Sequence, residues 1–177
     1  MVNYRRNRVS GGTYFLTLTL YDRSSKILTE RIADLRMAFR SVLRERTFRL
    51  EAMVVLPEHL HILLTLPTGD NDFSGRLRLL KSRFTHALVK AEMPLHRNEK
   101  GEYNLWQRRF WEHTIRNEQD FTRHFDYIHW NPAKHGYVSR VVDWPYSTFH
   151  RCVGQGVYSL DWASDSVDEL EFGEPGL

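Results

Sequence analysis

The sequence predicts an α+β fold, an antiparallel sheet with helices packed on one face. Three observations lead there. Strand-like alternation and helix-like periodicity take turns along the chain in the order β-α-β-β-α, with a possible further strand. Two short apolar runs, "FRLEAMVVLP" and "HLHILLTLP", meet around Pro57-Glu58, which suggests an antiparallel hairpin in the middle of the sheet. The chain's 177 residues suffice for one domain with a real core and fall short of two.

Each element has its own signal. "TYFLTLTL", Thr13 to Leu20, alternates β-branched, aromatic and apolar residues behind the Gly11-Gly12 punctuation, as a strand does. From Ile27 to Arg46 the apolar set Leu28, Ile32, Leu35, Ala38, Phe39, Val42 and Leu43 recurs at helical spacing. Asp72 or Ser74 is placed to cap a second helix with Leu77, Leu80, Phe84 and Leu88 as its core stripe and a basic exposed side. "MPLHRNEKGEYNLWQRRFWEH" reads as a loop followed by an aromatic-rich extended segment. A third helix begins near Asn117, runs through the Tyr127 region and has Gly136 as terminator. This order is that of ferredoxin-like or RRM-like sheets.

Composition narrows the function classes. Apolar residues at 41% and charged residues at 27% exclude a disordered chain. The basic start lacks an apolar run behind it and no segment approaches membrane-spanning length, so the expected compartment is the cytoplasm. One cysteine, Cys152, excludes an internal disulfide and a Cys-based zinc cluster and reads as a small buried hydrophobe. The formal net charge of +3 hides an asymmetry, because residues 161–177 hold six acids and no Lys or Arg. The first 160 residues therefore set 25 basic residues against 16 acids, a formal +9 that attracts polyanions such as nucleic acid. We divide the chain into a domain over 1–162 and an acidic, flexible tail over 163–177.

Inside the second apolar run, His59 and His61 are two residues apart, so on a strand both project to one face while Leu60, Ile62 and Leu64 point to the other. Paired imidazoles bind a cation, and they also occur as hydrogen-bonded core residues. A third ligand has to come from elsewhere. "FTRHFDYIHWNPAKHG" supplies candidates: Phe121, Phe125 and Ile128 make a core stripe, and His124, Tyr127, Asn131 and His135 gather beside it. Tyr127 and Asn131 are neighbours over one turn, so a nucleophile and a ligand could share that face. Two plainer readings fit equally: Tyr127 as a core tyrosine, and Asn131 as the cap of a short turn, since Pro132 disfavours helical geometry before it.

Seven segments, among them "GGTYFLTLTL", "VVLPEHLHILLTLP", "LWQRRFWEHTIRNEQDF", "DYIHWNPAKHGYV" and "DWPYSTFHR", resemble the bacterial REP-associated tyrosine transposases, a branch of the single-tyrosine HUH nucleases. The resemblance runs from about Arg5 to Trp162. It departs at Ala133, where a larger aliphatic residue is common, and in the acidic tail. It implies that His59-Leu60-His61 is the His-hydrophobic-His motif on a central strand, that Tyr127 is the catalytic tyrosine on a C-terminal helix, and that Asn131 is the polar ligand one turn later. It further implies Mg2+ or Mn2+ as cofactor, a 5′-phosphotyrosine intermediate, and palindromic single-stranded DNA hairpins as partners of a monomer, with a dimer left open. His124 or His129 is a candidate base for the phenol, beside a structural reading of both.

Phosphate contacts are expected from Arg5, Arg6 and Arg8 on an N-terminal arm, from Arg76, Arg78, Lys81 and Arg83 on the second helix, and from Arg108 and Arg109 in the extended segment. Trp106, Phe110 and Trp111 either stack on unpaired bases or fill the core. Two rival functions stay in view. One is a non-catalytic module that grips structured nucleic acid, and the other a zinc hydrolase adding His113 or His124 to the pair, for which no companion carboxylate stands at recognised spacing.

Overall fold

In the computed structural model, which describes residues 7–163, the strands are β1 (Thr13–Thr19), β2 (Arg49–Val55), β3 (His59–Thr65) and β4 (Trp111–Thr114). The helices are α1 (Ile27–Glu30), α2 (Ile32–Glu45), α3 (Phe73–Lys90), α4 (Glu118–Lys134) and α5 (Phe149–Gly154). The sheet has the order β2-β3-β1-β4 with every pairing antiparallel. Arg5, Arg6 and the acidic tail from residue 164 onward lie outside the described residues. Among the described residues, no helix is long and apolar enough to cross a membrane.

The antiparallel α+β sheet agrees with the sequence, and the helices are distributed more widely than on one face. α2 and α3 cover one side, where Leu35, Phe39, Leu77, Leu80 and Phe84 pack with Leu16, Leu18, Leu60 and Ile62. α4 covers the other, where Tyr127 and Ile128 pack with Phe15, Ala52, Val54 and Leu63. The reason is visible in β1 and β3, which are buried on both faces and so need a cover on each. The β2–β3 hairpin also forms, with β2 at the border of the sheet rather than in its middle. That border is strapped by the chain after α4: Val55 N–H donates to Tyr146 O at 2.8 Å and Thr148 N–H to Met53 O at 2.9 Å. Edge groups that would otherwise invite another strand are thereby used.

Helix ends follow the sequence signals. Asp72 caps α3, accepting from Gly75 N at 2.9 Å, and Asn117 caps α4, accepting from Asp120 N at 2.9 Å. Pro132 does not end α4 at Asn131; the helix continues to Lys134. A proline so close to the end disturbs only the last turn. That turn is closed by Gly136, at φ +71°, with Gly136 N–H donating to Ala133 O and Tyr137 N–H to Pro132 O, both at 3.0 Å. This paired pattern is a Schellman motif.

Candidate metal centre and nucleophile

His59 and His61 leave β3 on the α4 side, fully buried, with ring centroids 4.9 Å apart. Each ring is oriented through Nδ1, by Glu58 Oε1 at 2.8 Å for His59 and by Thr17 Oγ1 at 2.9 Å for His61. With Nδ1 engaged in both rings, Nε2 is the nitrogen that an ion would take, the arrangement by which carboxylates and hydroxyls aim metal-binding imidazoles. Burial holds the His61 pKa well below the usual histidine value, and His59 nearby lowers it further, so the ring stays neutral and keeps its lone pair.

α4 runs along this pair. Tyr127, Asn131 and His135 follow at one-turn intervals; the Tyr127 ring is 5.6 Å from that of His61 and the His135 ring 5.7 Å from that of His59. Asn131, buried, therefore lies between them on the helix face turned to the histidines. Its Oδ1 and Nδ2, and the Nε2 of His59, are buried without a hydrogen-bond partner. An unsatisfied buried polar group costs about 1–3 kcal/mol. Imidazole nitrogen and amide oxygen held this way are a donor set that fits a divalent cation. Tyr127 is 2% exposed, edge-on to His61 and packed near Phe15. Lys134, two turns on, has its Nζ 4.8 Å from the Tyr127 ring centroid.

A second cluster lies beyond Phe15, whose ring is 5.3 Å from His61 on one side and 4.8 Å from His124 on the other. Asp120 accepts from His113 Nε2 at 2.8 Å and lies 3.1 Å from His124 Nδ1, and the two imidazoles stack at 4.5 Å. Burial pushes the Asp120 carboxyl up, but the hydrogen bonds from His113 and the Arg116 N–H hold it below the usual range. The three side chains are close enough to share a cation. The rival zinc site finds no support here: neither His113 nor His124 joins the His59–His61 pair, because Phe15 intervenes, and Asp120, one turn before His124, accompanies those two histidines rather than the pair. His124 Nδ1 bonds to Asp120 O at 2.8 Å, and His129 to Thr148 Oγ1 at 2.8 Å, with burial pushing the His129 pKa down to about 3. His129 thus ties α4 to α5.

The basic residues divide. Arg76 is only 4% exposed and donates to Asp70, Asp72 O, Arg46 O and Thr47 O. It secures the start of α3, which removes it from the phosphate contacts the sequence suggested. Arg83 pairs with Glu45. Lys81 donates to Gln107 O at 2.9 Å and, with Arg108, lines a groove of about 1020 Å³ that also takes in Arg97 and Tyr103. Arg78, Arg109 and Arg8 are exposed, the last donating to Ser74 Oγ at 3.3 Å. Trp106 and Phe110 pack against the core, as does Trp111 on the other face. Glu58, Thr17 and Lys134 were not picked out from sequence. Lys134 had a usable signal, its place two turns after Tyr127, and Glu58 another, an acid directly before a buried histidine.

Comparison with known proteins decides the family. Residues 8–131 match the family model described as "Transposase IS200 like". The chain belongs to the IS200-like transposases. Within them it groups with the REP-associated tyrosine transposases: it is 50% identical to the Escherichia coli K12 protein of that name over 168 residues, covering 95% of this chain and 94% of the relative. A putative Haemophilus influenzae counterpart is 43% identical over 167 residues, covering 93% and 95%. The solved structure titled as the REP-associated tyrosine transposase bound to a REP hairpin superimposes with a TM-score of 0.83 at 50% identity, covering 95% of this chain and 94% of that one. The family makes the chain a DNA-cleaving transposase and a metal-dependent nuclease.

Proposed function

We propose that the chain binds REP-type palindromic hairpins and cleaves and rejoins the single strand beside them through a 5′-phosphotyrosine on Tyr127. One observation carries this reading: the phenol, the paired imidazoles and the buried carboxamide are held along a single helix–strand contact. His59, His61 and Asn131 would hold the ion. Mg2+ or Mn2+ suits a set that an amide oxygen, waters and a phosphate oxygen complete. When bound, it supplies Lewis-acid polarisation of the scissile phosphate.

The chain's own residues supply the rest. Tyr127 Oη attacks phosphorus, an O–P bond forms, the bond to the 3′ oxygen breaks, and that oxygen leaves as a hydroxyl after taking up a proton. Phosphoester replaces phosphoester, so the reverse reaction rejoins strands. A phenol has an unperturbed pKa near ~10, so its proton must leave as the O–P bond forms, and the Lys134 ammonium stands 4.8 Å from the ring centroid. Lys81, Arg108, Arg78, Arg109, Arg8, Arg83, and Arg5 and Arg6 on the arm, supply phosphate contacts in this reading. The structure of a relative bound to a REP hairpin supports the choice of substrate. Such a reaction belongs in the cytoplasm of a bacterium.

The test is a denaturation-resistant protein–DNA adduct on hairpin DNA carrying a single-stranded flank. Wild type with Mn2+ is expected to form it. Tyr127→Phe should lose it by a factor on the order of 10⁴, and chelation should abolish it while hairpin binding persists. An adduct undiminished in Tyr127→Phe would sink the assignment.

A further inference from the structure

On the sheet face away from the histidines, a cavity of about 250 Å³ opens between α2 and β2. Phe39, Met53, Leu60 and Tyr146 give it apolar and aromatic walls, and Arg36 and Arg40 stand at its side. Pockets for drug-sized ligands run to roughly 300–1,000 Å³, so this one is sized for a single flat ring system. Arg36, Arg40 and Arg44 recur every fourth residue, which sets them ~6 Å apart along the helix axis. All three are exposed. The neighbouring Arg31, Arg46, Arg49 and Arg83 each have a carboxylate partner, and among the described residues these three have none. Like charges one turn apart weaken a helix, and a polyanion laid along the row relieves that repulsion.

We propose that this cavity and its arginine row form a second DNA site, which takes an unpaired nucleotide. The base enters between Phe39 and Tyr146, and consecutive phosphates lie on Arg36 and Arg40, with Arg44 continuing the track. Aromatic walls beside a cationic row are the chemistry by which single strands are held without reading sequence. Because Leu60 points into the cavity while His59 and His61 leave the opposite face of β3, the strand held here is separated by the sheet from the strand at Tyr127. The proposal rests on the chain being a DNA transposase and is independent of the chemistry at Tyr127.

The experiment compares wild type with an Arg36→Ala/Arg40→Ala variant in chelator, with an unstructured oligothymidylate and a blunt hairpin as probes, by fluorescence anisotropy across a salt series. Both substitutions are on the surface, and a circular dichroism melt checks the fold. The variant should bind oligothymidylate about 10-fold more weakly, with the log K against log salt slope shallower by about 1.4, at 0.7 per lost phosphate contact. Blunt-hairpin affinity and adduct formation with Mn2+ should hold. Tyr146→Leu should weaken oligothymidylate binding without changing that slope. Unchanged oligothymidylate binding in the double variant would overturn the proposal, as would an equal loss on the blunt hairpin, which would make the row a duplex contact. Absence of any adduct in wild type would instead count against the Tyr127 mechanism and leave the oligothymidylate result to stand.

Discussion

Toward α2 and α3, β1 and β3 present Leu16, Leu18, Leu60, Ile62 and Leu64, which close against leucines and phenylalanines. Toward α4 the same two strands present Phe15, Thr17, His59, His61 and Leu63, with imidazoles where the first side has aliphatics. Alternation along β3 therefore places Ile62 in an aliphatic layer and its neighbour His61 in one that holds buried imidazoles, one peptide bond apart. The first layer gains by excluding water. The second retains buried polar atoms on His59 and Asn131 that cost stability unless something binds there. Because β3 is an inner strand of the four-stranded sheet, the first layer also holds these imidazoles in place.

Substitutions on each side should separate the two. Ile62→Ala is expected to cost about 2–5 kcal/mol in urea unfolding, as core truncations do, with the metal affinity of the folded fraction retained; a cost under about 1 kcal/mol would mean that the α2–α3 layer is not what carries stability. Glu58→Gln keeps an acceptor for His59 Nδ1 but loses the charge, and should weaken Mn2+ binding by calorimetry about 10–100-fold, the usual effect of losing a partner behind a metal ligand. Full affinity in that variant would show that Glu58 does not orient the ring. Asn131→Leu should abolish adduct formation yet leave the metal-free melting midpoint unchanged or raised, its stability within about 1 kcal/mol of wild type. A large loss would mean that the carboxamide is structural.

Periodicity alone put His59 and His61 on one face of a strand and Tyr127 and Asn131 one helical turn apart, two residues per repeat in a strand and 3.6 in a helix; it left Tyr127 as core residue and Asn131 as turn cap equally open, and only the family resemblance chose between those readings. Which side of the sheet α4 takes was not, since Phe121, Phe125 and Ile128 state that the helix has an apolar stripe but not which surface meets it. Arg76 was misread for a similar reason. Its helical position beside Leu77 suggested an exposed cation, whereas its hydrogen bonds go to carbonyls at the end of α2, some 30 residues earlier in the chain. The Asp120 cluster escaped notice because His113 comes from a different element, and only the β1–β4 pairing brings it to the helix. Arg36, Arg40 and Arg44 stood at regular spacing all along; what sequence could not show was that their neighbours are neutralised and they are not.

The segment from Tyr146 to Thr148 binds to β2 as a fifth, irregular ribbon. Its removal would expose a row of amide and carbonyl groups on which a second molecule could extend the sheet, copy upon copy. The same few residues that wall the cavity beside α2 thus also keep the β2 edge from standing open as a template for another strand.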